Sequence, residues 1–177
     1  GKSFMNQDVK NEIFDIVDRD GKVIGQAKRS EAHGNPSLLH RVVHCLVFNS
    51  RGELYLQKRS ETKDIQPGKW DTSVGGQMHP GETPLAAIRR ETEEELHIKK
   101  DDFIFLYRYI LSNEIESEMV DTFKLVHDGR VDPDPSEISE GRFWKESEIE
   151  AALKSGVFTP NFEDEWNHYC QTEGKRS

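Results

Sequence analysis

The sequence predicts a mixed α/β sandwich built as a single domain. Short β-type runs precede and follow one amphipathic helix that begins at Pro84, and two further helical segments lie near the C-terminus. Elements in this order bury their apolar faces in layers, with helices covering a sheet. The length of 177 residues is that of one ordinary domain, and it is large enough for a proper core.

The two ends of the sequence set the expected domain boundaries. Gly1 to Phe4 precede Met5, so we expect residues 1–9 to be disordered or tag-derived. We expect residues 10–173 to form the single domain, and residues 174–177 to fray.

The β-type runs predict a sheet with a central strand. Asp20-Gly21 is a tight-turn signal between Ile13–Val17 and Lys22–Gln26, which predicts a hairpin. Val42–Phe48 is apolar on both faces, which is typical of a central strand, and we expect its His44 to be structural and hydrogen-bonded. Further strands are expected at 53–58, 71–74, 102–110, 119–126 and 137–144. Alternation in the run 102–110 predicts one shared face for Phe105, Tyr107 and Tyr109.

The helix that begins at Pro84 has a clear start and two distinct faces. Thr83 is a good N-cap, and Pro84 suits the first helical position because the missing N–H costs nothing there. The spacing of the apolar positions predicts a core-facing stripe, formed by Leu85, Ile88, Thr92 and Leu96.

The C-terminal region predicts two helices. Ser147, followed three residues later by Glu150, is a capping-box pattern that opens a short helix to about Lys154. Thr159-Pro160 opens the last helix, whose apolar stripe is Phe162, Trp166 and Tyr169.

Charge and hydropathy limit the partners. The formal net charge is −9 and the pI is about 5.3, which argues against a nucleic acid polymer or an anionic membrane as partner. No apolar run approaches the ~18 residues of a membrane span. We expect a small phosphorylated substrate held by a few local cations, and a dimer as the oligomer if the chain self-associates.

Cysteine usage points to a reducing compartment. Cys45 and Cys170 are far apart and form no CxxC pair. Reduced thiols in a cytoplasmic protein fit this pattern better than a disulfide framework does.

The polar face of the central helix concentrates acidic side chains. Glu91 lies one helical turn before Glu94 and Glu95, so three carboxylates converge on one patch. Like charges at this spacing cost an isolated helix about 0.2–0.5 kcal/mol per pair. A hard cation such as Mg²⁺, or alternatively Mn²⁺, would convert that repulsion into binding. The alternative is a solvated acidic face.

Cationic and aromatic residues precede the paired glycines Gly75-Gly76. Arg59 is our preferred phosphate contact, because its planar fork suits a phosphate, and Lys58 is a second candidate. Trp70 is a candidate for stacking on a base, although core packing is the alternative for a Trp at this place. Lys63 and Lys69 fit ordinary surface residues.

The spacing across this region resembles the signature of the Nudix hydrolases. Gly76 is followed after five residues by Glu82, then after seven by Arg90-Glu91, and then by Glu94-Glu95. Thr92 departs from the pattern where an aliphatic residue is usual, and His97 where Gly is usual. A helix end often needs a left-handed residue at that second position, which His tolerates better than most.

The resemblance implies a Nudix-type α/β/α sandwich with a mixed β-sheet, and cation-dependent cleavage of a diphosphate. It implies that Glu91, Glu94 and Glu95 are metal ligands and that the Gly76 carbonyl is another. Arg90 would orient the carboxylates. Catalytic roles are expected for Glu91, Glu94 and Arg90.

The general base is not readable from the signature. Members of the family place it on a signature Glu or on a downstream loop, so Glu91, Glu137 and Glu140 are all candidates. The alternative for Glu137 and Glu140 is an acidic loop before a strand.

The segment from His33 to Gly76 resembles the subgroup of the family related to type I isopentenyl diphosphate isomerase. That enzyme has a proton-shuffling Cys just before the glycine loop, a His just after it, and two upstream metal-binding His. His33 and His40 match the upstream pair in spacing, but Gly75 stands in the slot of the Cys and Gln77 in that of the following His. The resemblance therefore disfavours the isomerase and leaves metal binding by His33 and His40 open.

Three functions follow from the sequence. We expect Mg²⁺-dependent hydrolysis of a diphosphate bond in a small nucleoside-diphosphate-type substrate. The alternatives are an activity like that of isopentenyl diphosphate isomerase, and a non-catalytic Nudix-like ligand-binding module.

Overall fold

The computed structural model describes residues 11–63, 65–135 and 138–174. The expectations for residues 1–9 and 175–177 lie outside this part of the chain. Nine strands and four helices occur in the described residues. In chain order they are β1 (Ile13–Val17), β2 (Val23–Lys28), α1 (Arg29–Ala32), β3 (Leu39–Phe48), β4 (Leu54–Arg59), β5 (Trp70–Asp71), β6 (Val74–Gln77), α2 (Pro84–Leu96), β7 (Ile104–Ser112), β8 (Ser117–Val126), β9 (Ile138–Trp144), α3 (Glu146–Ala152) and α4 (Pro160–Thr172).

All nine strands belong to one mixed sheet centred on β3. β3 pairs antiparallel with β1, β4 and β6, and parallel with β8 along its whole length. The prediction of a central strand with two apolar faces is confirmed, because both Val43 and Leu46 are fully buried. The parallel register places His40 opposite Glu118 and His44 opposite Thr122.

Helices cover both faces of the sheet, which confirms the α/β/α sandwich. On one face, α2 packs Ile88 and Leu96 against Val43 and other β3 residues. On the opposite face, α4 packs Phe162 and Trp166 into a second cluster that includes Leu46. Since no helix in the described residues is both long and apolar enough, none of them can span a membrane.

Helix α2 begins and ends as predicted, but its buried stripe differs at one position. The Thr83 side chain accepts a hydrogen bond from the Ala86 N–H at 3.2 Å, and His97 adopts the left-handed conformation with φ of 56°. The prediction that Leu85 faces the core is wrong, since it is 37% exposed, whereas Ala87 is fully buried. The small methyl group of Ala87 lets the helix approach the sheet closely.

The predicted N-cap is correct for one C-terminal helix and wrong for the other. Thr159 caps α4 by accepting from the Phe162 N–H at 3.1 Å, as predicted. The prediction of Ser147 as a cap is wrong, because α3 begins at Glu146 with Lys145 as its N-cap. The Lys145 N–H donates to Glu148 Oε1 at 2.9 Å, so the carboxylate that completes the capping box lies two residues earlier than expected.

An irregularity in β7 separates the three aromatic side chains that alternation assigned to one face. The pairing of β7 with β8 shifts between Phe105 and Tyr107. A one-residue shift turns the following side chains to the opposite face. Phe105 therefore contacts Phe123 on the α2 side, and Tyr107 and Tyr109 face α4. The shared-face prediction is wrong for Phe105.

Candidate active site

The paired glycines at β6 allow α2 to bring a carboxylate against the sheet. A Cβ at Gly76 would lie 2.1 Å from Glu91 Cδ and 2.4 Å from Glu91 Oε1. No side chain fits there, because real Cβ atoms do not approach other heavy atoms this closely. Position 76 therefore requires glycine as long as the Glu91 carboxylate lies where it does.

Arg90 connects the glycine loop to the acidic face of α2. Its Nε and Nη2 donate to the two carboxylate oxygens of Glu82, both at 3.0 Å. Nη2 also donates to the Gln77 carbonyl at 3.0 Å, and Nη1 donates to Glu91 Oε1 at 2.7 Å. Burial opposes ionisation of Glu82, but the hydrogen bonds from Arg90 and the His79 N–H hold the pKa of Glu82 below its usual value. Arg90 thus bridges Glu82 and Glu91, and its orienting role in catalysis stays a prediction.

Two of the three predicted metal-binding carboxylates, those of Glu91 and Glu95, are crowded and partly buried. Burial, together with the neighbouring charge of Glu91, raises the pKa of Glu95 to about 9. Burial also raises the pKa of Glu91, against the opposing effect of Arg90. The Glu94 side chain is 59% exposed at the rim. The acidic face is thus not merely solvated, because its two inner members lie against the sheet.

The residues present fit a hard divalent cation. Glu95 Oε2 is buried without a hydrogen-bond partner among the described residues. The Glu95 Oε1 accepts a 3.4 Å contact from Gln57 Nε2, and the Gly75 N–H also donates to this carboxylate. An unsatisfied buried oxygen is costly unless a cation or a proton occupies it. Carboxylate and carbonyl oxygens are the donors that Mg²⁺ and Mn²⁺ prefer.

These side chains line a cleft of about 670 Å³ that runs along the end of the sheet. The predicted site residues that line it are Gly76, Arg90, Glu91, Glu94, Glu95 and Arg59. Arg59 Nε donates to the Ile65 carbonyl at 3.0 Å, and Nη1 lies 3.7 Å from Asp71 Oδ2. The guanidinium is therefore held at the cleft wall.

The remaining predicted site residues lie elsewhere. Lys58 is outside the lining and its Nζ lies 3.9 Å from Glu61 Oε1. Trp70 packs edge-on against Trp144, with ring centroids 5.2 Å apart, and this is the core-packing alternative. Glu140 is exposed on β9, opposite Lys58 in the β4–β9 register, and does not line the cleft. Glu137 lies outside the described residues.

A second cluster of metal-ligand type joins the buried His40 to Glu116 and Glu118, and these two carboxylates line the cleft. One ligand atom each of His40, Glu116 and Glu118 lies within 4.8 Å of the others. His33 Nε2 is 2.9 Å from Glu116 Oε2, and His40 Nδ1 is 2.9 Å from Gln77 Oε1. Burial, followed by the charge of Glu116, raises the pKa of Glu118.

Sequence reasoning missed the two carboxylates of this cluster. Glu116 and Glu118 lie at the turn before β8 and at its start, where acidic residues are ordinary. They reach the cleft because β8 pairs in parallel with β3, which puts Glu118 beside His40. No local pattern signals such long-range pairing. Arg29 also lines the cleft without any mark in its sequence context, and so does Lys63, which we expected to be an ordinary surface residue.

The fold and the acidic helix above a glycine loop define a class of protein, and comparison with known families agrees. The family model described as "NUDIX domain" matches residues 38–162 of this chain. The chain belongs to the Nudix family, and this membership supports pyrophosphohydrolase activity in general terms.

Similar proteins include both Nudix hydrolases and isopentenyl-diphosphate isomerases. An uncharacterised Nudix hydrolase of Yersinia pestis is 34% identical over 85% of this chain and 81% of its own length. Isopentenyl-diphosphate Delta-isomerase 1 of Photorhabdus laumondii is 29% identical over 88% of this chain and 93% of its own length. Among solved structures, the DR0079 protein of Deinococcus radiodurans aligns with a TM-score of 0.71 and 28% identity, covering 84% of this chain and 92% of that one.

Proposed function

We propose that the protein hydrolyses a diphosphate bond in a small nucleoside-diphosphate-type substrate, with Mg²⁺ as its cofactor and Mn²⁺ as an alternative. The observation that carries this proposal is the partly buried Glu91–Glu95 pair beside Gly76, in which the buried Glu95 Oε2 has no hydrogen-bond partner among the described residues. A diphosphate brings several negative charges, so an acidic site can accept it only together with a cation.

Four groups of this chain would hold the cation. They are the carboxylates of Glu91, Glu94 and Glu95 and the carbonyl of Gly76. A cation bound there supplies charge neutralisation for the non-bridging phosphate oxygens and a water of lowered pKa.

The other cleft residues bind and orient. Arg90 holds the Glu91 carboxylate in place through its 2.7 Å hydrogen bond. Arg59 and Lys63 offer positive charge to the phosphates from the cleft wall. Glu91 is the candidate base that geometry favours, because it lines the cleft and burial raises its pKa, whereas Glu140 does not line the cleft.

A substrate panel tests the proposal. Nucleoside diphosphates, other nucleotide substrates and isopentenyl diphosphate are incubated with the protein and Mg²⁺, and phosphate or pyrophosphate release is measured. We expect release with at least one nucleotide, and we expect Glu94→Gln and Glu95→Gln each to reduce kcat by at least about 100-fold, since each removes a charged ligand. Glu93→Gln is the matched control, because Glu93 is an exposed residue of the same helix that does not line the cleft. Equal rates in the control and in both variants would refute the role of the acidic face.

The isomerase is the second candidate, and the cluster of His40, Glu116 and Glu118 favours it. Against it, Gly75 offers no side chain to exchange a proton with an alkene, and Gln77 occupies the next cleft-facing position. Double-bond migration in isopentenyl diphosphate without phosphate release would establish this candidate in place of the hydrolase. Binding of nucleotides without turnover would favour the non-catalytic module.

The proposal includes the expected partners and location. A small phosphorylated substrate fits the cleft, and the net charge of −9 supports neither a nucleic acid polymer nor an anionic membrane as partner. Both cysteines are buried free thiols, which supports a reducing, cytoplasmic location. A dimer is the oligomer we would test for first.

A further inference from the structure

A fully buried carboxylate lies behind the cleft floor and takes no part in the acidic helix. Glu165 of α4 has no exposed surface. His44 Nδ1 lies 2.7 Å from its Oε1, and Tyr109 Oη donates to the same oxygen at 3.0 Å. Thr122 Oγ1 donates at 3.1 Å, and Tyr107 Oη donates to Oε2. Despite burial, these bonds, led by the one from His44, lower the pKa of Glu165.

Burying the Glu165 carboxylate costs free energy, and only part of its hydrogen-bond network reaches the cleft. Taking a carboxylate out of water costs several kcal/mol unless charges and hydrogen bonds compensate for it. A hydrophobic residue on the apolar stripe of α4 would have docked the helix without that cost. Of the five residues in this network, only His44 lines the cleft, with 14% of its side chain exposed. The network therefore exposes one edge of the His44 imidazole ring to the cleft.

Gly75 leaves that edge uncovered. It lies opposite His44 in the β3–β6 register. A Cβ at position 75 would lie 3.3 Å from His44 Cδ2 and 3.6 Å from His44 Nε2. The Gly75 N–H faces the Glu95 carboxylate. One residue without a side chain thus separates the imidazole from the candidate cation site.

The charges around His44 support an imidazolium. Burial lowers the pKa of His44, but the hydrogen bond and charge of Glu165 and the charges of Glu118 and Asp71 outweigh it, so the pKa of His44 is raised. A carboxylate only accepts hydrogen bonds, which assigns a proton to Nδ1. In the imidazolium, Nε2 also carries a proton and can donate.

We propose that His44, held by Glu165, is a substrate-binding residue whose Nε2–H donates to a phosphate oxygen of the diphosphate on the cleft floor. Glu165 is then a positioning residue that acts through His44. This inference rests on the diphosphate substrate of the proposed function. The alternative is a purely structural ion pair that docks α4 on the sheet.

Binding of a non-hydrolysable diphosphate separates the two roles. Methylenediphosphonate is titrated by calorimetry into the Mg²⁺-saturated protein. His44→Asn keeps a donor near the Nδ1 position but has no atom at the Nε2 position. We expect it to bind the probe about 10-fold more weakly, since a hydrogen bond to a charged group is worth about 1.5 kcal/mol. His127→Asn is the matched control, because His127 does not line the cleft, and its affinity is expected to equal that of the wild type.

Glu165→Gln tests the positioning role by a spectroscopic signature. With ¹⁵N-labelled histidine, we expect the His44 ring nitrogens of the wild type to show an imidazolium that persists on probe binding. In Glu165→Gln we expect the neutral ring and a similar loss of probe affinity. An unchanged ring spectrum and affinity in this variant would overturn the role of Glu165.

A second variant and two further results also decide whether His44 binds the substrate. If His44→Asn does not fold, Gly75→Ala serves instead, because its methyl group would crowd the His44 ring, and we expect it to weaken probe binding. Probe affinity within twofold of wild type in the folded variant, or no probe binding by the wild type, overturns the inference. Probe binding that depends on His44 in a protein that hydrolyses no nucleotide would overturn the proposed hydrolysis and leave this inference standing.

Discussion

At the scale of single residues, two adjacent glycines determine where charge is concentrated. Gly76 is required because Glu91 occupies the space of its missing side chain, and Gly75 leaves the His44 ring open to the cleft. The carboxylates of Glu91 and Glu95 are consequently close together and poorly hydrated. Burial is the main cause of their raised pKa values, and the charge of Glu91 adds to the shift of Glu95.

Proton release on cation binding tests this crowding. Because the pKa of Glu95 is raised to about 9, its carboxyl group holds a proton at pH 7 in the cation-free protein. A metal ligand must be deprotonated. We therefore expect Mg²⁺ binding at pH 7 to release on the order of one proton, and Mg²⁺ affinity to rise with pH up to the pKa of Glu95. Calorimetric titration in two buffers of different ionisation enthalpy measures the number released.

Glu95→Gln is the informative variant for this titration, because it removes the titrating group but keeps the shape of the side chain. We expect its proton release to fall close to zero. Mg²⁺ binding by the wild type without proton release would show that the Glu91–Glu95 pair is already ionised and that burial is not decisive.

At the scale of elements, the two long helices place carboxylates on opposite faces of the sheet, one that lines the cleft and one that lies behind its floor. Helix α2 carries Glu95 and helix α4 carries Glu165. Local signals predicted both helices, since each begins with a Thr cap before Pro. The β7 irregularity that turns Tyr107 and Tyr109 towards Glu165 has no such signal, because alternation alone cannot reveal an extra residue in a strand.

The cap of α4 should matter more than an ordinary surface cap. Thr159 is buried, and its Oγ1 also donates to Asp71 Oδ1 at 3.0 Å. We expect Thr159→Ala to lower the free energy of unfolding by about 1–2 kcal/mol, because it removes the cap and leaves the buried Phe162 N–H without this partner. Urea denaturation measures the change.

Thr159→Ser keeps the hydroxyl group and is the matched control, for which we expect a loss below about 1 kcal/mol. Equal losses in the two variants would indicate that the methyl group of Thr159, and not its hydroxyl, stabilises the start of α4.

At the scale of the whole molecule, parallel pairing of β3 with β8 assembles the cleft. The sequence predicted the sandwich and the acidic helix because local periodicity and caps encode them. Arg59 lines the cleft, and its contact with a phosphate stays a prediction. Two contacts could not be predicted, because they join residues far apart in sequence and local sequence patterns do not reveal such pairs. They are the approach of Glu116 and Glu118 to His40 and that of Glu165 to His44.

The most direct test of the central claim is the fate of water oxygen during turnover. A substrate found in the panel is incubated with Mg²⁺ in H₂¹⁸O, and the products are examined by mass spectrometry. Because water attacks phosphorus in the proposed reaction, we predict one ¹⁸O atom per bond cleaved, in a phosphate-containing product, and negligible turnover when Mg²⁺ is chelated. Product formation without ¹⁸O, or at an undiminished rate after chelation, would contradict cation-dependent hydrolysis at the acidic helix.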